Sequence, residues 1–297
     1  MLNLTPSHLT QSRLTVSSLT MSRRGLIALL SGVTLLSACA TREPALEHAP
    51  APVTAPVTAQ VRNTLAPTGT LRVAVYVGSP TSMVIDARSG QKVGVAVELG
   101  REMAQRLGVP LELKEFQRVA EVLDALKTGQ ADFTFTNATA ERAQLLDFTA
   151  PLVDLELGYL VPATSPLQNL DDIDQAGRRV GVSQGSSSQG TLTRSFKQAQ
   201  VVPVASLKAG AAMLTAGQLD AFATNKAVLF EMADSLPGAR VLSGRWGLEH
   251  LAMAVPKGRE AGLAFVREMA HDVQAKGQLA AIITRAGLRG TAQAASD

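Results

Sequence analysis

The chain has 297 residues, 46% of them hydrophobic and 18% charged, a globular composition large enough for one large or two small domains. Its formal charge of +3 belongs to Arg13, Arg23 and Arg24, which precede Cys39 in a stretch without acids; the remainder balances at 25 basic and 25 acidic residues. A neutral body argues against nucleic-acid binding, and the chain has no Cys/His metal cluster, P-loop or Gly-x-Ser-x-Gly nucleophile turn, so no catalytic residue, metal or cofactor is expected.

Ser22-Arg23-Arg24 leads into an apolar run over 25–38. The run is short for a membrane span, which needs about 20 residues, but it fits the core of a signal peptide. It ends Leu36-Ser37-Ala38-Cys39, similar to a lipobox, in which the Cys becomes the lipid-modified N-terminus; residues 1–39 are therefore read as an export signal, with Met21 a candidate start. The Arg pair also loosely matches a twin-arginine signal. Cys39 is the only cysteine, so as an anchor it leaves no disulfide to stabilise the mature chain. Residues 40–66 repeat Pro and Ala and read as an extended tether.

The folded body opens with a β-branched strand over 71–77, closed by Gly78-Ser79-Pro80. Leu99, Met103 and Leu107 recur at helical spacing over 98–107, and Gly108 with Pro110 ends that helix. A strand over 111–116 and a helix over 120–126 follow. This alternation predicts an α/β fold with a largely parallel sheet and helices on its faces. After Asn137, Thr139 is placed to cap a helix whose first turn carries Glu141 and Arg142. A helix start offers N–H donors to an anion, and an Arg offers a planar fork to a carboxylate. Residues 147–151 read as a loop and 155–161 as a strand. A second α/β unit runs from 179, with a helix near 191–198, a strand over 201–204 placed at a sheet edge by Pro203, and a further helix. A strand over 248–255 and helices over 260–271 and 278–286 close the chain.

One stretch occurs twice. Gly129-Gln130-Ala131-Asp132-Phe133-Thr134-Phe135-Thr136-Asn137 returns as Gly217-Gln218-Leu219-Asp220-Ala221-Phe222-Ala223-Thr224-Asn225. Arg72-Val73-Ala74-Val75 with Gly78-Ser79 likewise matches Arg179-Val180-Gly181-Val182 with Gly185-Ser186. Two matched pairs in the same order indicate two similar units facing each other, with strand ends on both sides of one cleft. Asp132 and Asp220 read as turn or strand-start residues. Trp246 reads as packing at a seam, Arg118 and His271 as solvated, and His250 as either packing or a ligand contact.

These motifs resemble the type II periplasmic solute-binding proteins of the polar amino-acid ABC-transporter family, family 3. The likeness runs from about Gly69 to about Gly290, through Val93-Gly94-Val95-Ala96-Val97-Glu98-Leu99, Thr139-Ala140-Glu141-Arg142-Ala143 with Asp147-Phe148-Thr149, Leu170-Asp171-Asp172-Ile173 and Arg179-Val180-Gly181-Val182-Ser183-Gln184-Gly185-Ser186. It implies two doubly wound α/β lobes, lobe 1 at 67–154 and 256–290 and lobe 2 at 155–255, joined by two crossing strands. It implies that Arg142 grips a ligand carboxylate, helped by Thr136, Asn137, Ser186 and Ser187, with Ser79 beside them. Where the family places an ammonium-binding Asp, this chain has Asn225, so the charge would come from Glu98 or Glu249; the segment 78–83 lacks the aromatic the family stacks on its ligand. The implied protein is a monomeric, lipid-anchored periplasmic subunit, touching the membrane through its anchor only. Its partners are an amino acid or small carboxylate and an ABC permease. Two alternatives stay open: a cyclohexadienyl dehydratase-like enzyme, and a solute sensor serving a separate receptor.

Overall fold

The computed structural model describes residues 57–292. The expected export signal, Cys39 and most of the tether lie outside the described residues. The described part of the tether is not extended. Residues Ala59–Leu65 form helix α1, capped by the Thr58 hydroxyl, which accepts from the Val61 N–H at 3.2 Å. Leu65 is fully buried against Gly262, and its carbonyl accepts from Arg259. Val61 and Leu65 face the body from this helix, and burying them supplies the stabilisation a helix this short lacks by itself.

In chain order there follow β1 (Leu71–Tyr76), the short β2 (Val84–Ile85) and β3 (Lys92–Val93), α2 (Val95–Leu107), β4 (Leu111–Phe116), α3 (Val119–Lys127), β5 (Thr134–Asn137), β6 (Leu146–Phe148) and β7 (Val153–Val161). The chain continues with β8 (Arg179–Ser183), α4 (Ser187–Ser195), β9 (Gln200–Val204), α5 (Leu207–Thr215), β10 (Ala221–Asn225), α6 (Lys226–Asp234), β11 (Arg240–Val241), β12 (Gly247–Pro256), α7 (Glu260–Ala275) and α8 (Gln278–Arg285).

In the first lobe β1 pairs in parallel with β4 and bridges to β5 between Val73 and Phe133. The β1 burial pattern shows why it is central: Leu71 and Val73 to Tyr76 are buried, so both faces are covered. Helix α2 lays Leu99, Met103 and Leu107 against this sheet and stops at Gly108, whose left-handed backbone (φ 66°) returns its N–H to the Ala104 and Gln105 carbonyls. In the second lobe β9, β8 and β10 run in parallel, with β9 at the edge as Pro203 predicts. The long strands β7 and β12 join the lobes. They pair antiparallel over Val153–Leu157 and Gly247–Leu251; β7 then runs on beside β10, and β12 beside β5 and β6.

Two expectations change. Asp147 and Phe148, read as the start of a loop over 147–151, instead join Leu146 in β6, because β12 offers them a free edge. Their capture shortens the helix expected after Thr139 to one 3-10 turn, Arg142–Gln144. Thr139 does accept from the Arg142 N–H at 3.2 Å, but the N-cap residue of the turn is Glu141, so the expected cap moves two residues on.

Candidate functional site

The C-terminal ends of β1, β5, β8 and β10 converge with the middle of β12 on a cavity between the lobes, of about 60 Å³. Thr136 and Asn137 reach it from the end of β5, and Thr224 and Asn225 from the end of β10. Ser79, in the tight loop after β1, lines it with Thr81, to which it hydrogen-bonds at 2.8 Å. Ser186, at the start of α4, lines it too, although its hydroxyl caps the helix by accepting from Gln189 N–H.

Arg142 enters the cavity with 7% of its surface exposed. Its guanidinium donates only to neutral oxygens: Thr136 Oγ1 at 2.7 Å, the Asn137 carbonyl at 3.3 Å and, across the cleft, the Gly185 carbonyl at 3.4 Å. It belongs to none of the salt bridges among the described residues. Burial pushes its pKa below the ordinary Arg value, and the charges of Glu249 and Glu141 offset only part of that. A desolvated cation held by neutral dipoles is a site with bonding capacity left for an anion.

Opposite stands Glu249, on β12, also 7% exposed. Its two oxygens accept from Ser187 Oγ at 2.7 Å and Asn225 Nδ2 at 2.9 Å. Ser187 in turn accepts from Asn137 Nδ2 at 3.2 Å, so it links the two lobes' asparagines through the acid. Of the two acids proposed to supply negative charge, only Glu249 does so at the cavity. Glu98 is turned outward on α2, where Arg101 and Arg285 pair with it. Helical spacing puts Arg101 on its face, and α8 supplies the second cation.

The cavity also has an aromatic member that lies ahead of the segment searched for one. Tyr76, the last residue of β1, is buried, lines the cavity and hydrogen-bonds through its hydroxyl to Ser183 on β8. Burial pushes this phenol up to about 12, the Ser183 bond pulling it partly back. Its place at a strand's C-terminal end was the available signal. Tyr76–Ser183, Arg142–Gly185 and the Ala120 N–H to Gln184 carbonyl bond (3.1 Å) all cross the cleft, so the two lobes are closed on one another.

The remaining singletons lie elsewhere. Trp246 stacks on Tyr159 at 5.9 Å and donates to the Gly158 carbonyl. His250 faces outward to Asp154, and His271 is exposed on α7. Arg118 pairs with Glu121 and reaches Gln184 at the cleft mouth. Among the described residues there is no His/Cys/Asp/Glu group able to hold a metal ion, and no helix is long and apolar enough to cross a membrane.

The family model "Bacterial extracellular solute-binding proteins, family 3" matches residues 71–287. The ABC transporter glutamine-binding protein GlnH of Bacillus subtilis is 23% identical over 177 residues, which are 58% of this chain and 64% of that relative. Among solved structures, a mutant of ArgBP from T. maritima superposes with a TM-score of 0.68 at 22% identity, covering 76% of this chain and 98% of its own. The amino acid ABC transporter substrate-binding protein AbpA from Streptococcus pneumoniae, bound to L-arginine, gives 0.68 at 22% identity over 75% and 97%. An ancestral amino acid-binding protein described as a precursor of cyclohexadienyl dehydratase gives 0.66 at 22% identity over 75% and 98%. At such identities the structural likeness speaks for the fold, two α/β lobes joined by two crossing strands.

Proposed function

This chain belongs to the bacterial extracellular solute-binding proteins, family 3, and we propose that it is the solute-binding subunit of an ABC importer, holding an amino acid between its lobes with the ligand carboxylate on Arg142. The family membership supplies the class of function. The observation that carries the ligand assignment is the buried Arg142 guanidinium, hydrogen-bonded to neutral oxygens only and lining the cavity between the lobes. Thr136 and Asn137 orient the guanidinium, and Ser186 and Ser79 complete the wall. The amino-acid specificities named for the relatives, glutamine and arginine, support the ligand class.

Hinge closure of lobe 1 (67–154 and 256–290) on lobe 2 (155–255) traps the solute and creates the surface a permease reads. Contacts such as Tyr76–Ser183 exist only with the lobes together, so closure and binding reinforce each other. The lipobox-like Leu36-Ser37-Ala38-Cys39 supports a periplasmic lipoprotein, held to the membrane by its anchor. We read the cleft as a binding site rather than a catalytic one, because the family is one of solute-binding proteins and Ser187 and Asn225 hold the Glu249 carboxylate as a hydrogen-bond acceptor.

Thermal-shift screening and calorimetry with free amino acids test the reading. Arg142→Met should lower affinity for the best ligand by roughly 100-fold or more, the loss of a buried charge-assisted pair. A screen in which no amino acid or small carboxylate binds, or an Arg142→Met protein with unchanged affinity, contradicts it.

A further inference from the structure

Resting on the reading of Arg142 as a carboxylate grip, we infer that Glu249 receives the ligand's α-ammonium, with Asn225 and Ser187 as its positioning residues, and that the pair restricts the ligand to amino acids with a small, uncharged side chain.

The argument starts at Asn225. The Val228 N–H can only donate, so the Asn225 Oδ1 faces it, at 3.1 Å, as the cap of α6. That leaves Nδ2 to face Glu249, at 2.9 Å. Asn225 therefore turns a donor toward the site, which suits a neighbouring acid and not a ligand ammonium. The negative charge of this jaw sits one strand further on, at Glu249 of β12. Each of its oxygens accepts one hydrogen bond from protein, and a carboxylate has about four acceptor positions, so about two are left for an ammonium. Neutrality at Asn225 follows from this placement: a second carboxylate there would stand within hydrogen-bond distance of the first, and two like charges so close cannot both ionise without cost.

The charges then close. Arg142 and Glu249 are the charged residues among those lining the cavity. A zwitterion occupies both, and a third charge on the ligand would find no oppositely charged residue in the lining, which is unfavourable where the site is shielded from water. The cavity, about 60 Å³, has room for a few groups of water size. Its wall around those charges is hydroxyl-rich, with Ser79, Thr81 and Thr224 and the apolar flanks of Val119 and Val228. Alanine, serine and threonine fit this description; arginine, lysine and glutamate do not.

The test is calorimetry on the wild-type protein, Glu249→Gln and the double variant Asn225→Asp/Glu249→Gln. Probes are L-alanine, L-serine, L-arginine, L-glutamate and L-lactate, the last a carboxylate with no ammonium. Wild type should favour alanine or serine over arginine and glutamate. Glu249→Gln should lose at least roughly 30-fold for the neutral amino acids while keeping or improving its binding of lactate, which also reports that the variant is folded. Returning the acid to position 225 in the double variant should restore most of the loss. Neutral amino acids bound equally well by wild type and Glu249→Gln, or arginine preferred by wild type, overturn the inference and leave Arg142 untouched. Failure of wild type to bind any amino acid overturns both readings.

Discussion

The repeated stretches Gly129–Asn137 and Gly217–Asn225 begin alike and end differently. At the start of each, an Asp carboxylate receives both the backbone N–H and the guanidinium of an Arg at the head of the lobe's first strand: Asp132 from Arg72, Asp220 from Arg179. In each lobe this clamp fixes the register of the first and last strands of one α/β unit. At the far ends the two asparagines do different jobs. Asn137 accepts from the His250 backbone and donates to Ser187, beside the Arg142 guanidinium. Asn225 caps a helix and donates to Glu249. The opening residues of the repeat hold the fold, and so stay alike; the closing residues line the cavity from opposite lobes and bond to different partners.

Even the shared clamps differ in depth, which gives the largest test of the comparison. Asp132 is fully buried and serves a second cation, Arg259, at 2.7 Å. Asp132→Ala would strand two largely buried guanidinium groups and should cost about 3–5 kcal/mol in denaturant unfolding. The side chains of Asp220 and Arg179 are 24% and 39% exposed, so Asp220→Ala should cost about 1 kcal/mol. Equal losses would mean that burial does not set the worth of these clamps.

Acid sharpens the same contrast. Burial tends to raise the Asp220 carboxyl, but bonding and charge from Arg179 outweigh it and hold the group below the usual Asp range. Its folded-state pKa is thus depressed, and the stability it contributes is present above that range and lost as pH falls through it. An Asp220→Asn protein should show a shallower loss of stability below about pH 4 than wild type; parallel profiles would remove Asp220 from the account. The smallest expected effect is at the cleft: Tyr76→Phe deletes the bond to Ser183 and should weaken ligand binding by about 2- to 10-fold with little change in unfolding. A larger stability change than binding change would make Tyr76 part of the core and not of the closure.

Much of the scaffold was legible because its signals are local. The strand from Leu71 and the Gly108 stop of α2 follow from a β-branched run and a left-handed cap. The internal repeat indicated paired strand ends, and Arg142 followed from its place after one of them. What escaped depends on non-local pairing. Whether 146–148 is loop or strand is decided by β12, more than a hundred residues away in sequence. Glu98 and Glu249 look equally eligible in a linear reading; the register of β12 against β7 and β5 turns one into the cleft, and α8 draws the other outward. Tyr76 escaped because its side chain belongs to the strand's last residue and not to the loop beyond.

The central claim is that the cleft matches a zwitterion end to end, and a crystal structure of the protein with its tightest-binding amino acid tests it most directly. The account predicts the ligand carboxylate on Arg142 and the ammonium on Glu249, each at about 2.7–3.0 Å. A ligand carboxylate turned away from Arg142, or an ammonium seated on Asn225 Oδ1 with Glu249 uninvolved, would contradict it.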